Sequence, residues 1–480
     1  MLAVSFILLP AVLGLVCFFI PRWETKRTLL LLIPQGLLAA GAAAAAVTSA
    51  TMATPALHLT DSLTFSLSLD GLGRFFLVLV SALWFLSIPY AAEYMRHEEH
   101  HSRFYGFFFL TEAAVLGTVL AGDFLTLYLF FELATLLSFP LVLHDGSERA
   151  LLGGQKYFFY SVGGAFAALF GVAVLYCTCG DLSLTPGGHL AALTPLTALG
   201  IFLLLAGFGA KAGLYPLHNW LTAAHPVAPT PASAVLSGLI TKCGVVAIIR
   251  VLFFLVGPQA LRGTWVQYAA ITLALITVAM GSFLGCLENN LKKRLAYSSI
   301  SQISYILLGL FILTPHGASG ALLQFLFHAL AKTGIFQCAG IVIYLTGYTQ
   351  VDQLRGLGRR MPLTGLCFLF FSLSLVGIPP FGGFWSKWHL CLAALEGLPN
   401  WLAYLVPGVL ILSALLTAGY LFAPVVSAFF PGEDYVPEAP IKESALLLIS
   451  PAILALAVLV LGLGSSWITS VMDTIAGGWM

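Results

Sequence analysis

The chain has 480 residues, 59% hydrophobic and only 9% charged, with a net charge of +1. A soluble domain carries about 25% charged residues, so this composition excludes one and predicts an all-α integral membrane protein. The net charge says nothing about nucleic acid, but no basic run is long enough to suggest it, so no nucleic-acid partner is expected.

A spanning helix needs about 20 apolar residues. About fourteen stretches qualify: residues 2–20, 28–49, 71–92, 104–121, 123–143, 156–178, 194–220, 231–256, 266–287, 295–313, 320–347, 364–388, 402–428 and 444–468. The first has its charges (Arg22, Lys26, Arg27) behind it, the reverse of a signal peptide, and reads as a retained span. After the third, His97-Glu98-Glu99-His100-His101 spells the H-E-x-x-H of zinc proteases. It stands in a short polar loop with no third ligand in sight, so a solvated loop is the better reading. The eight cysteines fall mostly inside spans and show no metal spacing, which predicts no metal and no cofactor in this chain.

The fifth span opens at Asp123, and Glu132 follows nine residues later, about 13 Å deeper at 1.5 Å per residue, near the bilayer midplane. A carboxylate there needs a partner to stay ionised, and Lys211 is the expected one. The seventh span carries Lys211 and is interrupted by Gly209, Gly213 and Pro216, with His218 and His225 beyond as candidate polar lining. Proline removes a backbone donor, and freed carbonyls inside a bilayer must find water or a polar partner. The eighth carries Lys242. The tenth, after Lys292-Lys293-Arg294, sets Tyr297, Ser298, Ser301 and Tyr305 on one face with Gln302 beside them; they hold a water file or tie helices together. In the eleventh, Gln324, His328 and Lys332 recur every fourth residue and line one face. The twelfth is interrupted at Gly377-Ile378-Pro379-Pro380 and Gly382-Gly383 and carries Lys387.

Lysine at a helix centre costs about 2.5–3.5 kcal/mol even on lenient insertion scales. Four of them, with Glu132 and His328 at similar depth, point to charge movement. Lys, Glu and His all change protonation state with their surroundings, so the charge is expected to be the proton. Three of the lysines share the pattern Lys-x-Gly-aliphatic, at Lys211, Lys242 and Lys332. Interrupted helices in both halves are a pointer to a transport site.

Loops after odd-numbered spans carry Arg22, Lys26, Arg27, Arg96, Arg103, Arg149, Lys156, Lys292, Lys293, Arg294, Arg355, Arg359, Arg360 and Lys442; the others carry Arg74, Arg250 and Arg262. By the positive-inside rule the odd loops are cytoplasmic and both termini lie outside. The loops are too short to house a nucleotide or a flavin, and no ATP motif is present, so the driving force must be an ion gradient or a redox partner.

These motifs resemble a known family. Leu125 to Leu143 with Glu132 is similar to the fifth helix of the antiporter-like subunits of respiratory complex I. Gly209-Ala210-Lys211-Ala212-Gly213-Leu214-Tyr215-Pro216-Leu217-His218-Asn219-Trp220-Leu221 resembles their broken seventh helix, and Ala228-Pro229-Thr230-Pro231-Ala232-Ser233-Ala234 followed by Lys242 resembles their eighth. The stretch from Leu291 to Ser301 and the run from Gly377 to Lys387 look like the tenth and twelfth. The same subunit type recurs in Mrp-type cation/proton antiporters and in membrane-bound, energy-converting hydrogenases. The resemblance implies fourteen helices, with two inverted five-helix repeats (about 104–256 and 266–428) in a single membrane domain and two broken helices. It also implies a Glu132–Lys211 pair, a central Lys242, a linking His328 and Lys332, and an exit lysine, Lys387. The chain stops soon after the last span, without the long lateral helix of the distal complex I subunit. The stretch Ala223 to Pro231 looks closer to the hydrogenase and Mrp members.

The expected function is a proton-translocating subunit of a redox-driven complex of hydrogenase or complex I type. Its partners would be other membrane subunits and a cytoplasmic redox arm that holds the cofactors, and its place a bacterial or archaeal inner membrane. The alternatives are an Mrp-type Na⁺/H⁺ antiporter subunit and, more distantly, a non-conducting scaffold.

Overall fold

The computed structural model describes residues 2–20, 25–47, 52–58, 64–180, 182–190, 193–436 and 438–480. Arg22 and the last two residues of the 28–49 segment, used above, lie outside them. The apolar stretches form helices: α1 Leu2–Phe18, α2 Thr28–Val47, α3 Gly71–Tyr94, α4 His101–Val119, α5 Phe124–Val142 and α6 Glu148–Cys179. There follow α7 Pro195–Ala212, α8 Asn219–Val227, α9 Thr230–Val256, α10 Trp265–Leu287, α11 Leu291–Phe311 and α12 Pro315–Thr346. The last are α13 Pro362–Val376, α14 Gly382–Gly397, α15 Asn400–Phe429, α16 Ala445–Leu463 and α17 Ser465–Gly477. Among the described residues ten helices are long and apolar enough to cross a membrane, and α1 and α13 are apolar but shorter. The chain is a multi-pass membrane protein.

Polar residues at the boundaries set where helices begin. Asp70, Asp123, Ser147, Thr194, Thr264, Asn290 and Thr314 each accept a backbone N–H of the first turn. Hydrogen bonds between loops define two faces. One carries the C terminus: Ser68 N donates to Leu120 O (2.8 Å), Thr185 N to Phe254 O (3.0 Å) and Arg262 Nη2 to Leu313 O (2.6 Å). The other carries most of the basic residues: Lys292 Nζ donates to Ala228 O (2.9 Å), Leu291 N to Thr349 O (2.9 Å) and Arg355 Nε to Pro431 O (2.6 Å). On the C-terminal face two short antiparallel pairs, Met52–Ala53 with Ser68–Leu69 and Leu57–His58 with Thr64–Phe65, cover the bundle.

Two helices are sheathed by the rest. The apolar window of α9 is 100% buried and that of α12 94%, against 33% for α6 and α15. Residues at lipid-facing depth on α6, such as Phe159, Phe166 and Phe170, are exposed, while α12 packs against α9, α11, α13, α14, α16 and α17. The helices that carry Lys242, His328 and Lys332 are therefore the inner ones.

Both expected interruptions are present. Gly213 (φ 84°) ends α7 and Gly377 (φ 91°) ends α13, each in the left-handed region that glycine enters without a Cβ penalty. A further irregularity has no proline to announce it: α9 runs as a π-helix over Leu236–Ile240 and again over Val251–Val256. Several basic residues expected in loops lie within helices: Arg74 in α3, Arg103 in α4, Arg149 in α6, and Lys292, Lys293 and Arg294 in α11. Lys156 lies within α6, and Arg250 is buried within α9, ion-paired with Asp70 through two hydrogen bonds of 2.5 and 3.0 Å. A guanidinium held in a two-toothed carboxylate fork can enter a span, which a count by sequence position overlooks.

Candidate functional site

The four lysines are buried where the apolar pattern put them: Lys211 is 1% exposed, Lys242 1%, Lys332 0% and Lys387 9%. Among the described residues none of them forms an ion pair. Each ammonium is held by neutral oxygens.

Lys211 sits in the last turn of α7 and reaches between α5 and α6. It donates to Thr135 Oγ1 (2.9 Å) and to the Tyr157 hydroxyl, and lies 4.5 Å from the centre of the Tyr157 ring. Tyr157 in turn shares a hydrogen bond with Ser138 Oγ (2.6 Å). The expected Glu132–Lys211 ion pair is not formed. Glu132 is half-buried one turn before Thr135, and its Oε1 is buried with no hydrogen-bond partner. The two hydroxyls satisfy the ammonium first, so the carboxylate is a neighbour of the lysine rather than its counter-ion.

Lys242 follows the first π segment of α9 and donates back to Ser237 O, five residues earlier. Ser237 Oγ also meets Ser299 Oγ of α11 (2.7 Å). The glycine of its Lys-x-Gly pattern has a packing reason. A Cβ on Gly244 would lie 2.4 Å from Phe208 O and 3.2 Å from Lys211 Cβ, so only glycine lets α9 lie against α7 beside Lys211. A missing side chain is what lets the two lysine-bearing helices touch here.

On α12, Gln324, His328 and Lys332 are all buried, as their spacing predicts. Lys332 donates to Leu295 O of α11 (2.9 Å), and neither ring nitrogen of His328 has a partner. Gln324 Nε2 donates to Gln302 Oε1 (2.8 Å), and Ser386 Oγ of α14 donates to Gln324 Oε1 (2.5 Å). Lys387, next to Ser386, donates to Leu375 O and Val376 O (both 2.6 Å), the carbonyls freed at the end of α13. Its ammonium lies 5.2 Å from the Tyr305 ring centre. A polar row thus passes from α9 through α12 to α14.

Other candidates fall in different places. His225 is fully buried on α8, both ring nitrogens unpartnered, its ring 4.7 Å from that of Phe336. Lys242, Lys292 and Lys332 are its charged neighbours, so it belongs beside the row. His218 stacks on Tyr215 at 5.8 Å in the α7–α8 link, half-buried. Asp123 is a helix cap and not part of a lining. It accepts from Thr126 N (2.8 Å), Thr126 Oγ1 (2.8 Å), Ser66 N (2.6 Å) and Ser66 Oγ (2.7 Å), which leaves its oxygens engaged. In α11, Ser301 Oγ meets Ser282 Oγ (2.8 Å) and donates to Val278 O (3.1 Å), and Tyr305 donates to Leu410 O (3.0 Å). Of the two readings offered for these hydroxyls, tying helices together is the one these bonds satisfy; Ser298 is buried alongside and Tyr297 half-buried.

Sequence reasoning missed Thr135, Tyr157, Ser237 and Ser386, which hold or flank the lysines. It also missed Glu112, fully buried on α4 and hydrogen-bonded by Gln35 Nε2 of α2 (2.6 Å). A carboxylate inside the 104–121 stretch was visible by the same rule that singled out Glu132.

The comparisons with known proteins follow the same lines. The family described as "NADH:quinone oxidoreductase/Mrp antiporter, TM" matches residues 121–430, and "NADH-Ubiquinone oxidoreductase (complex I), chain 5 N-terminus" matches 58–105. An NADH-quinone oxidoreductase subunit of Desulforudis audaxviator is 33% identical over 411 residues, covering 83% of this chain and 80% of that one. A Na(+)/H(+) antiporter subunit of Bacillus subtilis is 31% identical over 372 residues, covering 76% and 73%. A chain of the membrane-bound sulfane sulfur reductase, an archaeal respiratory membrane complex, shares the fold with a TM-score of 0.89 at 24% identity, covering 99% of this chain and 97% of that one. The sheathed lysine row and the two broken helices are thus features of a chain that belongs to the antiporter-like membrane subunits of the NADH:quinone oxidoreductase/Mrp antiporter family.

Proposed function

We propose that this chain is the proton-translocating subunit of a multi-subunit, redox-driven membrane complex of the energy-converting hydrogenase or complex I type. Protons move along Glu132, Lys211, Lys242, His328, Lys332 and Lys387. The observation that carries this reading is that four lysines are buried without a described acidic partner, each bonded only to hydroxyls or carbonyls. A structural lysine in a span is normally neutralised by a counter-charge or snorkels to the surface. A lysine held by neutral oxygens keeps its hydrogen bonds as an amine and can therefore give its proton to a neighbour.

In this reading the half-buried Glu132 sets the charge of Lys211, which exchanges with Lys242 across the Gly244 contact. His328 and Lys332 pass the proton on to Lys387. The two halves, about 104–256 and 266–428, act as inverted repeats. The chain works in the inner membrane of a bacterial or archaeal cell with both termini outside, and redox cofactors sit in partner subunits. The second reading is an Mrp-type Na⁺/H⁺ antiporter subunit, favoured by the likeness to the Bacillus subtilis antiporter protein.

The test is to isolate the native complex through a tag on this chain, identify its subunits by mass spectrometry, and follow proton movement in proteoliposomes. Redox partners with a cytoplasmic arm, and loss of proton movement in Lys332→Ala, are the expected results. Small hydrophobic partners alone replace the first reading by the second. Normal proton movement in Lys332→Ala overturns both.

A further inference from the structure

We propose that Ser237 of α9 and Ser299 of α11 form a two-hydroxyl relay that carries the proton between Lys242 and Lys332. This rests on the proton-translocation reading and names the groups that join two of its lysines.

Lys242 and Lys332 stand on α9 and α12, the two sheathed helices, and the π segment of α9 decides what Lys242 holds. In an α-helix Thr241 N would donate to Ser237 O, four residues back. In the wider π turn it donates to Leu236 O (3.1 Å), five back. Ser237 O instead accepts from Thr241 Oγ1 (3.2 Å) and from the Lys242 ammonium. The π turn thus hands a backbone acceptor to a side-chain ammonium and fixes that ammonium on Ser237. The same turn lies against α12: a Cβ on Gly238 would stand 2.1 Å from Oγ1 of Thr333, the residue after Lys332.

From Ser237 the hydrogen bonds run on to Lys332. Ser237 Oγ meets Ser299 Oγ (2.7 Å), and Ser299 Oγ donates to Leu295 O, one turn back on α11 (3.0 Å). The same carbonyl accepts from the Lys332 ammonium (2.9 Å). Ser299 and Lys332 therefore stand on one shared oxygen, and Lys242 and the Ser237 hydroxyl on one shared residue. Both serines are 0% exposed. A hydroxyl carries one donor and two acceptor sites, and in the Ser237–Ser299 bond either oxygen can be the donor. His328, on the same face of α12 as Lys332, bonds neither lysine, since both its ring nitrogens are without a partner. The hydrogen-bonded connection between Lys242 and Lys332 runs through the serines.

The step balances. The Lys242 ammonium turns from the Ser237 carbonyl to the Ser237 hydroxyl and gives it a proton. Ser237 passes its own hydroxyl proton to Ser299, and Ser299 passes its own to the lone pair of the Lys332 amine. Each oxygen gains one proton and loses one; Lys242 ends as an amine and Lys332 as an ammonium. The return transfer runs the same way in reverse.

The experiment is proton flux into proteoliposomes holding the intact complex, read with a lumenal pH dye under a valinomycin-imposed K⁺ potential. The double variant Ser237→Ala/Ser299→Ala removes both ends of one buried bond, which is close to neutral for stability. It is expected to slow flux about a hundredfold, the low end of what a positioned proton donor contributes, and to leave the melting temperature of the complex unchanged. Ser87→Ala is the control and should leave flux unchanged: Ser87 is a buried serine of α3 that bonds Leu83 O of its own helix (2.7 Å). Lys332→Ala is the reference. Parent-like flux in the double variant, with flux lost in Lys332→Ala, overturns the relay while the proton-translocation reading stands. Flux retained in Lys332→Ala overturns both. A second comparison separates the hydroxyl from packing. Ser299→Thr and Ser299→Val have the same shape, so any steric fault is common to them, and only threonine keeps the hydroxyl. Flux is expected in the threonine variant and not in the valine variant. Equal flux in the two rejects the relay.

Discussion

At both broken helices a glycine with positive φ ends the first half, and proline follows within a few residues. The lysines lie on opposite sides of these breaks. Lys211 precedes its break, on α7, and turns away from it to Thr135 and Tyr157. The Ala210 carbonyl at the break accepts instead from the Trp220 indole N–H at 2.8 Å and from Gly213 N at 3.2 Å. Lys387 follows its break, on α14, and its own ammonium takes the freed Leu375 and Val376 carbonyls. Where an indole satisfies the backbone, the lysine can change charge without disturbing the helix ends. Where the lysine does so itself, charge and backbone structure are coupled. At the first break the lysine stands on an independent scaffold; at the second the lysine is itself part of the scaffold.

The largest test of this contrast compares Lys387→Ala with Lys211→Ala. Both should stop proton flux. Lys387→Ala also strands two buried carbonyls, at about 1–3 kcal/mol each, and should lower the melting temperature of the purified complex clearly more than Lys211→Ala. After Lys211→Ala, Tyr157 keeps its bond to Ser138. Equal losses of melting temperature would erase the distinction. An intermediate effect is expected for Trp220→Phe, which removes one of the two donors to Ala210 O and should cost about 0.5–1.5 kcal/mol while proton flux continues. Flux lost as fully as in Lys211→Ala would show that the first scaffold is not independent.

The smallest effect is a pH control at the basic end of α5. Burial, with Arg103 beside it, holds the His144 imidazole down from 6.5 to about 4, and its Nε2 lies 3.0 Å from Glu99 O. A depressed histidine stabilises the fold fully above its ordinary value and loses that contribution as the pH falls through the depressed one. The melting temperature should therefore drop between pH 6.5 and pH 4, and drop less in His144→Gln. An identical drop in parent and variant would remove His144 from the account.

Much of the candidate site was legible before the fold. Lys211, Lys242, Lys332 and Lys387 stood out because an ammonium in an apolar run is costly wherever the helix packs. Gln324, His328 and Lys332 fell on one face because a helix repeats every 3.6 residues. The Glu132–Lys211 ion pair, inferred from charge and implied by the resemblance, is absent, because two hydroxyls from other helices reach the ammonium first. Asp123 looked like lining because it is acidic, yet a carboxylate at the first position of a span is first of all an N-cap. Arg250 was counted as a loop residue because its partner, Asp70, lies 180 residues away.

The sequence by itself determined that this is a helical membrane protein, where glycine and proline interrupt its helices, and that four lysines lie deep. Those follow from transfer energy, glycine and proline geometry, and helical periodicity, all local properties. Only the tertiary structure decided what holds each charge: Thr135 and Tyr157 for Lys211, 76 and 54 residues distant, and main-chain carbonyls for Lys242, Lys332 and Lys387. A carbonyl is the same in every residue, so nothing in the sequence marks the one that a packed helix will leave within reach of an ammonium.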